Sequence, residues 1–402
     1  MNLLNTRPMN RALWHLIDTL LIFYTYISHY RRLSKLFKGF NNKSYYDFKG
    51  INNKRLVTKI FDYLYIFFVL KIYPTNYYLY GFDVKNKNEF KKFIGDRDEP
   101  ITSAKLKKLV GNNGFLLDDK YFFNLICKHH DLPVPKQWGL YGNSMSFRRS
   151  QELLKLMKEN SIQKIVLKPR FGAYGAGIHF IDYNKINGTD SIKINVKDEY
   201  VVENAILQHS KMNEINPFCV NTIRLITLLT TNENVEILGA ILRTSASDLP
   251  VDNFTMGGIV IGINIETGKL KEFGLVKYFV KFEGSDIPYN SGYMSIKRQF
   301  EEKRRKKMIK DGKLLYEHPI TKIKFKDFQL PCWEQVKTIT IQAQKVFNHV
   351  KSVGWDIGIS DKGPVIIEAN KFWATTGMQA ANGGLLTDKN KKIFYQNGIS
   401  FH

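Results

Sequence analysis

Ile165-Val-Leu-Lys-Pro-Arg-Phe-Gly-Ala-Tyr-Gly-Ala-Gly-Ile178 reads as a strand ending in a lysine, a loop with Gly172, Gly175 and Gly177, and a second strand. Glycine lets backbone N–H groups approach phosphate oxygens closely, so the loop is a candidate phosphate flap with Lys168 at its root. It joins two strands and lacks a closing Gly-Lys-Ser/Thr. It is therefore neither a Walker P-loop nor the dinucleotide fingerprint that opens a helix. An ordinary hairpin has the same local pattern, and the loop alone leaves both readings open.

Working outward, Lys120 to Lys128 has helical apolar spacing and runs into Leu132-Pro-Val-Pro135, while Gln151 to Asn160 is a second amphipathic helix. Lys164–Lys168, Gly177–Tyr183 and Glu199–Asn204 read as strands of an antiparallel sheet. Thr222–Thr230, Val235–Arg243 and Gly258–Asn264 continue the strands, Trp333–Val350 returns to helix, and Pro364–Ala369 is the last core strand. Helix and strand without regular βαβ alternation predict an α+β fold. Residues 1–110 read as a basic, aromatic, mostly helical N-terminal region closed by the polar linker Gly95–Pro100, and 111–395 as the core. The core divides into a lobe over 111–198 with the flap and a C-terminal lobe over 199–395.

Asp356 and Glu368 lie on apolar strands, where an unpaired buried carboxylate costs several kcal/mol. Each therefore needs a cation. Glu368 and Asn370 are two apart on one strand and share a face, which clusters the hard oxygen donors that Mg²⁺ prefers. Asp356 on a neighbouring hairpin strand can complete the set. A structural ion-pair network with Arg or Lys is the alternative reading.

In order, spacing and residue type, these motifs resemble the ATP-grasp superfamily. Over roughly residues 60 to 390 they resemble its sugar-transfer-associated members. The motifs are Leu117-Asp-Asp-Lys120, Val166-Leu-Lys-Pro169, Tyr200-Val-Val-Glu203, Val220-Asn-Thr-Ile-Arg224, Gly257-Gly258, Gly354-Trp-Asp356 and Ile367-Glu-Ala-Asn370. The resemblance implies an ATP-grasp fold of two α+β lobes closing on ATP. It implies that Lys120 and Lys168 hold the phosphates, that Gly172 to Gly177 form the flap, and that Glu203 sits at the adenine and ribose hinge. Asp356, Glu368 and Asn370 would hold Mg²⁺, while Arg224 and Arg243 face the transferred phosphate or acyl group. Many ligases of this superfamily carry an arginine just before the first metal carboxylate. Gly354 and Trp355 stand there instead, so Arg224 or Arg243 is expected to replace it. The implied reaction is ADP-forming carboxylate–amine ligation through an acyl phosphate, joining an amino acid or amine to an acidic sugar of a cell-surface polysaccharide. A sugar or glycan kinase using the same ATP site, with Asp252 as base, is the alternative.

Composition agrees with a multi-lobed enzyme: 402 residues, 44% of them apolar, and a formal net charge of +23. That charge suits an anionic partner. Residues 1–60 hold eleven Lys or Arg against Asp18 and Asp47, interleaved with aromatics, so an anionic membrane surface is an expected partner. Packing of those aromatics on the rest of the protein is the other reading. Trp14–Ile27 is interrupted by His15 and Asp18, too short to span a bilayer and without a cleavage site. The basic cluster Lys303–Lys307 follows Glu301 and Glu302, and no aromatic platform surrounds it, which argues against nucleic acid. Cys127, Cys219 and Cys332 lack disulfide or zinc spacing, and the expected setting is the cytoplasm, peripherally at the inner face of the membrane.

Overall fold

The computed structural model describes residues 54–401 except 112–113, 143–144, 173–176, 186–198, 249, 251, 255–256 and 278–312. Gly175, residues 1–53 and the basic cluster at 297–307 lie outside the described residues. In chain order the elements begin with α1 (Leu56–Phe68), α2 (Lys87–Phe90), α3 (Pro100–Lys108), α4 (Lys120–His129), β1 (Gln137–Tyr141) and α5 (Ser150–Glu159). β2 (Lys164–Pro169), β3 (His179–Asp182), β4 (Tyr200–Asn204), α6 (Ser210–Ile215), β5 (Thr222–Leu229), β6 (Val235–Thr244), β7 (Ile259–Ile263) and β8 (Leu270–Val276) follow. The chain continues through β9 (Lys313–Leu315), α7 (Trp333–Val346), β10 (Ser352–Ser360), β11 (Gly363–Asn370), α8 (Thr375–Asn382) and α9 (Asp388–Gln396).

The strands form two antiparallel sheets, β1-β4-β2-β3 and β11-β10-β5-β6-β7-β8-β9, an α+β architecture. In the smaller sheet Ile165, Leu167, Tyr200 and Val202 turn toward Leu153 and Met157 of α5. Strict alternation then puts Val166, Lys168, Val201 and Glu203 on the opposite face.

The larger sheet is covered on both sides. Ile223, Leu225, Ile259, Val353, Trp355 and Ile357 pack with Val336, Ala343 and Phe347 of the α7 region and with Phe123 and Cys127 of α4. On the other side Ile226, Leu228, Val260 and Leu275 meet Tyr77, Tyr80, Phe82 and Phe93, together with Met378 and Phe394 from α8 and α9. A sheet buried on both faces explains why β10 lies entirely in the interior.

The stretch Gly95–Pro100, expected as a linker, is instead a buried joint. Asp96 accepts hydrogen bonds from the Tyr73 backbone N–H and from Asn76 Nδ2, and Glu99 caps α3 through the Thr102 N–H at 3.0 Å. Burial pushes the Asp96 carboxyl up to about 7. Asp96 and Glu99 sit inside because a turn buried among aromatics needs acceptors for its N–H groups. Gln379 of α8 bonds both the N–H and the carbonyl of Ile94, at 2.6 and 2.9 Å, and Arg97 donates to the Phe372 carbonyl at 3.1 Å just past β11. Helix α7 ends at Val346 rather than Val350, because the chain leaves helical geometry at Phe347 on its way into β10.

Candidate active site

Glu368, Asp356 and Arg224 are direct cross-strand partners on β11, β10 and β5, so their side chains form one row across three strands. Asn370 opposes Gly354 one step along the same face. A bulge makes this face possible. The β10–β11 register shifts between Asp356 and Ile357, leaving Ile367 as the extra residue. Without it, alternation would place Ile366 and Glu368 on one side. With it, Ile366 and Ala369 both enter the core while Glu368 and Asn370 face away from it.

Asp356 is only 1% exposed and is gripped from two sides. Arg224 donates through Nε and Nη2 to its two oxygens, and Arg243 Nη2 stands 3.4 Å from Oδ2. Burial alone would raise this carboxyl, but the two guanidinium groups outweigh it and hold it at about 2. Glu368 has no such clamp, and burial followed by the Asp356 charge pushes its carboxyl up. Arg243 also donates to Asp252, at 3.2 Å through Nε and 3.0 Å through Nη2. The Gly257-Gly258 motif seats Asp252: a Cβ on Gly258 would lie 2.3 Å from the Asp252 carbonyl oxygen.

On the smaller sheet Lys168 Nζ lies 2.7 Å from Glu203 Oε2, and both are largely buried. Lys120 opens α4 behind the N-cap Asp119 and donates to the Gly172 carbonyl at 2.7 Å, touching the root of the glycine loop. Burial lowers its ammonium, while Glu368, Glu203 and Asp118 act to raise it and Lys168 to lower it. Lys120 thus stands in the field of both polar faces. Gly177 has φ of +74°, the left-handed backbone a glycine tolerates, and closes the loop against Pro169.

Among the described residues no three His, Cys, Asp or Glu cluster as a metal site. The fit to Mg²⁺ therefore rests on two carboxylates and one amide. Asn370 Nδ2 lies 3.3 Å from Glu368 Oε1 and 3.5 Å from Asp356 Oδ2. The two ends of an amide are interchangeable by a flip, which would bring Oδ1 in as a third oxygen. Mg²⁺ is commonly held by one or two carboxylates, with substrate phosphates and water completing the octahedron, so this donor set fits it.

Sequence reasoning missed Arg170 and Asp119. Arg170 grips Asp119 through Nε and Nη2 and Glu199 through Nη1, and its own carbonyl receives the Lys120 N–H at 3.2 Å. The root of the glycine loop is thereby tied to the start of α4. The signal lay in the quoted motifs: one acid just before Lys120 and one arginine two after Lys168. No arginine precedes Asp356 on β10; Arg224 reaches its carboxylate from β5 instead, and Gly354 makes room for Trp373 beside it. A Cβ there would meet Trp373 Cβ at 2.9 Å and Arg224 Cδ at 3.5 Å. Gly354→Ala should therefore destabilise the protein by about 1–3 kcal/mol, the usual cost of overpacking, measured by chemical denaturation. An unchanged midpoint would show that Trp373 and Arg224 yield without cost.

A family model described as sugar-transfer associated ATP-grasp matches residues 109–283 and 291–394. A search of curated proteins gave no match. Among solved structures, the chain is similar to the biotin carboxylase domain of Hydrogenobacter thermophilus 2-oxoglutarate carboxylase in complex with MgADP, ADP and bicarbonate. The identity is 12% and the TM-score 0.34, covering 68% of this chain and 47% of that one. For N5-carboxyaminoimidazole ribonucleotide synthetase from Thermotoga maritima the values are 9%, 0.30, 68% and 51%. For D-alanyl-alanine synthetase A from Vibrio cholerae they are 12%, 0.35, 71% and 61%. The chain spans about half the length of the first two.

Proposed function

The chain belongs to the sugar-transfer associated ATP-grasp family, and from that premise we propose that it is a Mg-ATP-dependent carboxylate–amine ligase acting on an acidic sugar. One observation carries the reading: Glu368, at the end of the row Glu368–Asp356–Arg224, lies within the electrostatic reach of Lys120, which also touches the glycine loop. A site built this way brings together an oxygen-donor cluster, fixed guanidinium groups and phosphate-binding cations, the parts phosphoryl transfer needs.

In this proposal Lys120 and Lys168 bind ATP phosphates, Lys168 loosening from Glu203 to do so, and Glu203 serves the adenine and ribose hinge. Gly172, Gly175 and Gly177 give the flap its close approach to phosphate. Asp356, Glu368 and Asn370 hold Mg²⁺, which supplies neutralisation of phosphate charge when bound. The substrate carboxylate attacks the γ-phosphate, breaking its bond to the β–γ bridging oxygen and releasing ADP. The remaining N–H groups of Arg224, with Arg243, orient the acyl group, a task suited to a rigid planar fork. The flap excludes water from the acyl phosphate until an amine displaces inorganic phosphate and forms the amide. The lobe of the smaller sheet, which takes in β4 with Glu203 beyond the expected boundary at 198, carries ATP, and that of the larger sheet the metal. A uronic-acid glycan and an amino acid are the substrate classes, the setting is cell-surface polysaccharide assembly, and the site of action is the cytoplasmic face of an anionic membrane, held peripherally.

Asp252 is the base a kinase would need, but Arg243 holds it as an ion pair. Incubation with Mg-ATP, a uronic-acid glycan and mixed amino acids should yield amide product with ADP and phosphate in equal amounts. A stable phosphorylated sugar, formed without amine and without phosphate release, would replace the ligase reading with the kinase.

A further inference from the structure

Helix α1 is apolar on both of its faces. Tyr63, Ile66 and Phe67 point into the core, and Asp62 is buried beneath the helix, paired with Lys54 at 2.7 Å and accepting from Tyr77 Oη at 3.1 Å. The opposite stripe is Val57, Ile60, Phe61, Leu64 and Phe68, at i, i+3, i+4, i+7 and i+11, with Leu56 and Val69 at its ends. These seven side chains stand in solvent, from 37% exposed at Leu64 to 64% at Leu56. Single exposed apolar residues are ordinary, but a continuous stripe on one helix is a surface built to be covered.

The charges around the stripe discriminate among covers. From Lys54 to Phe82 the one acidic residue is Asp62, already buried and paired. Arg55, Lys59 and Lys71 border the helix, and Lys87 Nζ lies 5.7 Å from the Tyr65 ring, while Lys54 is taken up by Asp62. A second copy docked here by a twofold axis would set these cations against their own equivalents. Residues 1–53 hold eight Lys or Arg against two Asp, so folding them over the stripe would also add cation to cation. An anionic bilayer satisfies both features together, with apolar side chains at the acyl boundary and cations among the headgroups. Among the described residues no helix is long and apolar enough to cross a membrane.

We propose that α1 is the element that seats this protein on an anionic lipid surface, through the stripe Val57–Ile60–Phe61–Leu64–Phe68. The proposal rests on the peripheral-association reading above and assigns it to one helix face outside the nucleotide site. The test compares the full chain with a Phe61→Ser/Leu64→Ser double variant on phosphatidylcholine vesicles with and without phosphatidylglycerol. Wild type is expected to partition at least about tenfold more onto the anionic vesicles, and the double variant to lose about tenfold of that binding. Solution mass, melting temperature and ATP turnover in the absence of lipid should stay unchanged. Equal binding of the variant would overturn the role of α1 while leaving peripheral association standing, and absence of wild-type binding would overturn both. A fall from dimer to monomer in the variant would name a second copy as the cover, and a lowered melting temperature would name the chain's own first 53 residues. Either result would overturn the lipid proposal without touching the ligase reading.

Discussion

Glu368→Gln is expected to cut Mg-ATP-dependent turnover by at least about 100-fold while leaving the protein as stable as before, or more so. Loss of a group that merely supports a metal ligand costs about 10–100-fold, and loss of a ligand should cost no less. The stability half of the expectation follows from the sign of the pKa shift. Burial and the adjacent Asp356 charge raise the Glu368 carboxyl, so the folded state disfavours its ionised form at neutral pH. A neutral amide of the same size removes that repulsion. Activity and stability should therefore move independently, which a simple packing defect would not produce. Saturating-substrate kinetics beside a thermal melt gives both readings. Near-normal turnover of the Gln variant at saturating Mg²⁺ and ATP would remove Glu368 from the metal site.

The second large effect is expected from Arg224→Leu. Asp356 is fully interior, and Arg224 donates to both of its oxygens, with Asn370 Nδ2 a weaker donor 3.5 Å from Oδ2. Breaking a buried ion pair by removing one partner typically costs about 3–5 kcal/mol, since it strands the other charge. Arg243, at 3.4 Å, remains to shield the carboxylate, so the lower end of that range is expected. The pH dependence follows from linkage. Asp356 sits at about 2 when folded against an ordinary value of 3.8, so its contribution is fully present above pH 3.8 and disappears as pH falls through about 2. Wild type and Arg224→Leu should consequently converge in stability across that window. A stability difference that persists undiminished to pH 2 would mean the loss comes from packing of the arginine stem rather than its charge.

Much of the molecule is legible along the chain. Short apolar runs mark β2, β5, β6 and β7, helical spacing marks α4, α5 and α7, and the glycine loop declares itself between two strands. Each of these is a property of neighbours within about ten residues, so no distant contact is needed to read it. The shared face of Glu368 and Asn370 follows equally from an i, i+2 spacing on a strand. Family membership also came from local motifs taken in order.

Tertiary structure decided the rest, because it depends on what each segment meets. Arg224 and Asp356 are 132 residues apart, and only the β5–β10 register makes them partners. The bulge at Ile367, which sends Ile366 inward and Glu368 outward, depends on pairing with β10 and has no mark in the apolar run itself. The polar stretch Gly95–Pro100 looks like a solvent linker by composition, yet Asp96 and Glu99 are inside, answering N–H groups that packing of the aromatic turn had hidden from water. Helix α1 shows the converse: its sequence is apolar on two faces, with Lys59 and Asp62 among few polar residues, and only the placement of the core determines which stripe is left facing outward. Periodicity states which residues share a face, whereas the partner of that face is fixed by long-range packing and charge, and those are properties of the folded chain alone.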